Sequence, residues 1–112
     1  MTNHYQNSEY YQITFYVPKK QCEVVKQAMF DAGAGTLGNY QDCSWQILRQ
    51  GQFKPLSGTQ PFLGKKDKLE KVSEYKVEML CHKEKIKLVI QALKSSHPYE
   101  VPAYSVIELV SN

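Results

Sequence analysis

Tyr11–Met29, "YQITFYVPKKQCEVVKQAM", and Tyr75–Leu93, "YKVEMLCHKEKIKLVIQAL", align without a gap at an offset of 64 residues (11 to 75). Tyr11 meets Tyr75, Lys19 meets Lys83, Val25 meets Val89, Gln27 meets Gln91 and Ala28 meets Ala92. Apolar class is kept where identity is not, as with Ile13 and Val77, Phe15 and Met79, or Met29 and Leu93. Both copies also change period at the same place. Ile13, Phe15 and Val17 alternate with Gln12, Thr14 and Tyr16, and Val77, Met79 and Cys81 alternate with Lys76, Glu78 and Leu80. A period of two belongs to a strand with one buried face. Each run then switches to helical spacing: Val24, Val25, Ala28, Met29 and Ala32 in the first copy, Ile86, Val89, Ile90 and Leu93 in the second. Burying those last four is worth roughly 6–12 kcal/mol gross, before ordering entropy is subtracted.

A further strand follows each helix, "CSWQIL" at Cys43–Leu48 and "YSVIELV" at Tyr104–Val110. The order βαβ–βαβ predicts an α+β fold. It is a ferredoxin-like (βαβ)2 sandwich, a four-stranded antiparallel sheet with two helices on one face. With 112 residues the chain is one domain. Residues 10–112 are assigned to it, and the polar, aperiodic Met1–Glu9 is expected to be a disordered tail.

Gly33, Gly35 and Gly38 have the G-x-G-x-x-G spacing of dinucleotide-binding loops. Such a loop must follow a strand and open a helix, whereas these glycines follow a helix and lead into a strand. They are read as turn glycines, with Gly33 as the residue that ends the first helix at positive φ. A net charge of +3, with Lys and Arg interleaved among Asp and Glu, gives no nucleic-acid footprint. An RNA-recognition sheet would also need aromatic residues where the third strand offers Lys76, Glu78 and Leu80. Three widely spaced cysteines with no C-x-x-C signal neither a disulfide framework nor a thiolate metal knuckle. No signal peptide opens the chain and no run nears the ~20 apolar residues of a membrane span. A cytoplasmic protein is expected, with no membrane and no nucleic-acid partner.

Alternation puts Thr14, Tyr16, Leu80, Leu48, Val106 and Val110, beside Glu78, Gln46 and Glu108, on the sheet face away from the helices. That face is apolar for a wet surface and suggests self-association. Tyr16, Leu48, Leu80 and Val106 are therefore interface candidates. Phe53 and Phe62 join them from a long Gly-, Pro- and Lys-rich hairpin arm, Gln50–Lys71. The arm is expected to pack on a neighbouring subunit, or else to sense a ligand or dock a protein partner. In "SSHPYEVPAY", Ser95–Tyr104, Pro98 stops the second helix and biases His97 towards an extended backbone. The segment reads as a structural turn. Alternatively, His97, Tyr99 and Glu100 are its ligand candidates, His97 and Glu100 as donors to a divalent metal such as Zn²⁺ or Cu²⁺. No nucleophile–base pair, H-E-x-x-H or Walker motif is present, so no catalytic residue is assigned and an enzyme is not expected.

"AGAGTLGNYQDCSW", "GQFKPLSGTQPFLG" and "HPYEVPAY" together resemble the middle (insert) domain of the YqfO proteins, of the NGG-interacting-factor-three family. The resemblance runs from about Tyr11 to Leu109. "HPYEVP" also resembles the corresponding stretch of CutA, the divalent-ion tolerance proteins, whose fold is shared with the PII signalling proteins. The resemblance implies a CutA/PII-like subunit in a homotrimer, sheet faces turned inward, as a stand-alone regulatory or binding module of unknown ligand. A CutA-type metal binder and a structural adaptor using the 50–71 arm are its alternatives. The family's metal site and cyclohydrolase label belong to flanking domains, so neither transfers to these residues. The cysteine linked to copper in CutA is absent from "FYVPK", and the nucleotide-binding motifs of PII are not recognisable.

Overall fold

The repeat becomes two strand–helix units. In a computed structural model the described residues are 6–111, with side chains described from Glu9 to Val110. Strand β1 (Gln6–Pro18) passes through a single 3-10 turn, Lys19–Gln21, into helix α1 (Cys22–Asp31) and then to β2 (Trp45–Phe53). Strand β3 (Glu70–His82) passes through Lys83–Lys85 into α2 (Ile86–Ser96) and then to β4 (Tyr104–Ser111). Boundaries in the first unit recur 64 residues later in the second (6 to 70, 18 to 82, 22 to 86).

The sheet order is β2-β3-β1-β4, with every pairing antiparallel. The two strands that begin the repeats are thus central, and each repeat's closing strand pairs with the other's opening strand. The fold is the ferredoxin-like α+β sandwich. Its core is the set the two periodicities select: Ile13, Phe15 and Val17 from β1, and Val77, Met79 and Cys81 from β3. Cys22, Val25 and Met29 of α1, with Val89 and Leu93 of α2, join it, each at most 1% exposed, and Ala34 just after α1 completes it. Val24 does not join its stripe and faces solvent.

Residues directly opposite on antiparallel strands share a face, so the register corrects four face assignments directly, and Val110, in alternation with Val106 and Glu108 on the closing strand, follows as a fifth. Leu48 lies opposite Tyr75, Gln46 opposite Val77, Val106 opposite Ile13 and Glu108 opposite Tyr11. All four are therefore on the helix side. Gln46 confirms it by accepting a hydrogen bond from Lys26 of α1 at 3.0 Å, and Val106 packs against the core. The alternation within each closing strand is as read. What the sequence lacked was its phase relative to the neighbouring strand, which the pairing alone sets. On the bare face stand Trp45, Ile47 and Arg49 of β2, Glu74, Lys76, Glu78 and Leu80 of β3, Gln12, Thr14 and Tyr16 of β1, and Ser105 and Ile107 of β4.

Two boundaries also move. Of the expected tail, residues 1–5 lie outside the described residues, while Gln6 and Asn7 already pair with Ser111 and Val110. Strand β2 runs five residues beyond Leu48 because its ladder with β3 continues to Phe53 opposite Glu70. The arm is therefore a strand hairpin closed by a loop over residues 54–69.

Helix α1 ends as its glycine requires. Gly33, at φ +115°, sits past the cap residue Ala32; its N–H donates to Phe30 O at 3.0 Å and that of Ala34 to Met29 O at 3.0 Å. This pair of bonds satisfies the last carbonyls of the helix. Among the described residues, no helix is long and apolar enough to cross a membrane.

Candidate ligand-binding site

The arm and the segment after α2 are far apart in sequence and meet in space. Helix α2 ends when His97 N–H donates to Leu93 O at 2.9 Å and the backbone turns extended, ψ 137°, ahead of Pro98. That turn delivers the His97 ring to the sheet. Its Nδ1 lies 3.1 Å from the Tyr99 N–H, which only donates, so Nδ1 accepts. Nε2 then carries the ring proton and donates to Tyr16 O at 2.6 Å. At 7% exposure the ring is a neutral strut between α2 and β1. Burial pushes its pKa below the usual 6.5, against the opposing pull of the Tyr16 bond and the Glu74 charge.

Tyr99 follows directly. Its hydroxyl donates to Glu74 Oε2 at 2.8 Å, and Glu74 is only 8% exposed. Burial first, then the bond to Glu74 and its charge, push the phenol well above its ordinary value, so it stays a donor. Around the Tyr99 ring stand His97, Phe53 and Phe62, with centroids at 4.9, 5.9 and 6.4 Å. Glu100 turns the other way and accepts from Gln60 N–H of the arm at 3.0 Å. The bond ties the loop to the segment.

Between them lies a cavity of about 380 Å³ on the bare side of the sheet. Its floor is Tyr16, Gly51 and Glu74, and its walls include Phe53, Pro61, Phe62, Tyr99 and Val101. This volume and its largely apolar lining suit a small molecule. Gly51 is part of the construction: a Cβ there would collide with the Glu74 carboxylate, which crosses over it.

His97 and Glu100 do not fit a shared metal. Both ring nitrogens of His97 are spent on backbone groups, and Glu100 is turned to the arm. Among the described residues no three His, Cys, Asp or Glu side chains gather as a metal site needs. Cys22 and Cys81 are buried, with thiols pushed up to about 11 by desolvation, and Cys43 is half-buried.

The chain is 43% identical over 94 residues to the GTP cyclohydrolase 1 type 2 homolog of Bacillus subtilis. It is 39% identical over 95 residues to that of Mycobacterium tuberculosis. The matches cover 84% and 85% of this chain. This chain is a relative of the NGG-interacting-factor-three (YqfO) proteins. It spans about a quarter of their length, 25% in both cases. A Bacillus cereus protein related to NIF3 superposes with a TM-score of 0.77 at 31% identity, over 96% of this chain and 29% of that one. CutA from Synechococcus elongatus superposes with a TM-score of 0.66 at 16% identity, over 97% and 86% of the two chains, a likeness of fold. No protein-family profile matches the chain.

Of the residues singled out from sequence, the fold brings Tyr16, Phe53, Phe62, Tyr99 and Glu100 to one cavity. Leu48, Leu80 and Val106 do not line it. Glu74 and Gly51 were missed. Glu74 reads as one more polar position in an alternating strand, and only its register beside Gly51 and Tyr99 makes it the floor of a pocket.

Proposed function

We propose that this chain is a binding or regulatory module with no catalysis of its own, cytoplasmic, assembled as a homotrimer, and taking a small ligand in the arm–turn cavity. The cavity carries the reading. It joins a pocket of small-molecule size to one nearly buried, hydrogen-bonded carboxylate, on residues where no nucleophile is paired with a base. The relatives' cyclohydrolase name describes longer proteins, of which this chain matches 25%, and is not transferred.

Trimer assembly is supported by the bare sheet face, where Trp45, Ile47 and Ile107 are 55%, 50% and 53% exposed in the isolated chain. Surfaces of this kind are usually covered, and a closed ring covers them without leaving a free edge. A second reading, an adaptor that docks a protein through the arm, is favoured by the exposed Leu56 and Leu69 of its loop.

Native mass spectrometry of protein purified without added metal tests both parts together. A three-subunit mass with a retained small-molecule mass is expected. A single-subunit species at micromolar concentration removes the trimer. Deleting residues 57–68 separates the readings, because an adaptor loses a captured protein and a ligand module loses the retained mass.

A further inference from the structure

The cavity also has a polarity, set by a carboxylate that takes part in no ion pair among the described residues. Glu74 is nearly buried, yet none of the three ion pairs among the described residues includes it. Arg49 is directly opposite on β2 and Lys54 lines the cavity, but neither forms an ion pair with Glu74. Its one side-chain hydrogen bond comes from the neutral Tyr99 hydroxyl, at Oε2. Burying a carboxylate without a countercharge is costly. Here Gly51 makes room for it: its missing Cβ leaves the space that the carboxylate occupies.

The walls have the same polarity. Phe53, Phe62 and Tyr99 form a cluster of rings. Ring faces are negative and attract cations, most strongly where water is excluded. A desolvated carboxylate beside several aromatic rings is a complementary environment for a positive charge that carries apolar substituents. An anion would face Glu74 directly, and a neutral apolar ligand would bury that carboxylate further with no compensation.

We propose that the cavity binds a small organic cation, an alkylated or quaternary ammonium group lodged among Phe53, Phe62 and Tyr99 with its charge facing Glu74. This rests on the reading of the cavity as a ligand site and adds the chemical class of the ligand. A cation explains together the unpaired carboxylate, the glycine beneath it and the aromatic wall.

Choline and its uncharged isostere 3,3-dimethylbutan-1-ol, titrated separately into the full chain and followed by NMR, test the proposal. Choline should bind with at least about a tenfold preference over the alcohol, as a desolvated cation–π and charge contact predicts. Glu74→Gln, which keeps an acceptor for Tyr99, should remove most of that preference. Phe62→Ala changes a half-exposed ring outside the core, so folding is preserved, and it should weaken choline as well. Equal binding of the two compounds, or a preference untouched by Glu74→Gln, overturns the cation proposal while leaving a ligand cavity in place. Failure of both compounds to bind also overturns it, and native mass spectrometry then judges the module reading separately.

Discussion

The Tyr99 hydroxyl donates to Glu74 Oε2 at 2.8 Å, which joins the turn after the second helix to the central strand β3 across a span of 25 residues. Since the acceptor is only 8% exposed, water can replace the phenol poorly. Tyr99→Phe should therefore cost roughly 1–3 kcal/mol, read as a lower urea midpoint with an unchanged slope. A loss within error would mean that the carboxylate finds water or another donor.

Burial of the His97 ring makes stability fall in acid. Above pH 6.5 the histidine is neutral in both folded and unfolded chains. As pH drops through 6.5 the unfolded chain takes up a proton that the native ring, its pKa lowered by burial, still refuses. Stability is therefore lost from about pH 6.5 downwards until the native pKa is reached. Unfolding midpoints between pH 8 and 5 should show this fall, and His97→Gln should flatten it while lowering stability throughout.

Gly35 has φ +82°, and a Cβ there would stand 2.8 Å from the Phe30 ring and 3.0 Å from Cys43 N. Gly35→Ala should cost about 2 kcal/mol from backbone strain and crowding together. Gly58 is the control. It too has positive φ but open space around it, so Gly58→Ala should cost less. Thermal melts of the two variants check the order.

Cysteine labelling should proceed in two phases. Cys22 and Cys81 are buried, with thiols pushed up to about 11, and the thiolate is the reactive form. At pH 8 a small disulfide reagent should modify Cys43 first. The other two should follow only at the rate of opening, and all three should react at once in denaturant. Rapid modification of three thiols in native buffer would contradict the packing around α1 and β3.

A charge on the bare face tests assembly. Ile47→Lys alters a half-exposed residue opposite Lys76 on that face. A trimer closed across the sheet should dissociate, with light scattering moving from three subunits towards one while the far-UV circular dichroism is kept. Retention of the trimer would place its contacts elsewhere.

The core was legible because periodicity is a local property. Ile13, Phe15 and Val17, then Val77, Met79 and Cys81, alternate within a single strand, and no knowledge of a partner is needed to see which side is buried. The helix stripes are equally local, and Val24 stands apart because it lies about 100° round the helix from Val25, outside the face that Cys22, Val25 and Met29 bury. Gly33 could be placed from chain order, since a glycine after a helix ends it.

Sequence alone therefore determined the βαβ repeat, the change of period within each copy, the residues of the core, and the two unusual segments, the arm and the HPYE turn. Tertiary structure decided how these face one another. Leu48 and Val106 belong to the helix side, since strand phase depends on the partner to which backbone bonds are made. The cavity exists only because Gly51, Glu74 and Tyr99, up to 48 residues apart (51 to 99), are brought together by register and by one helix end. Periodicity along a chain records which side of an element is buried; it carries no information about which distant residue lies opposite.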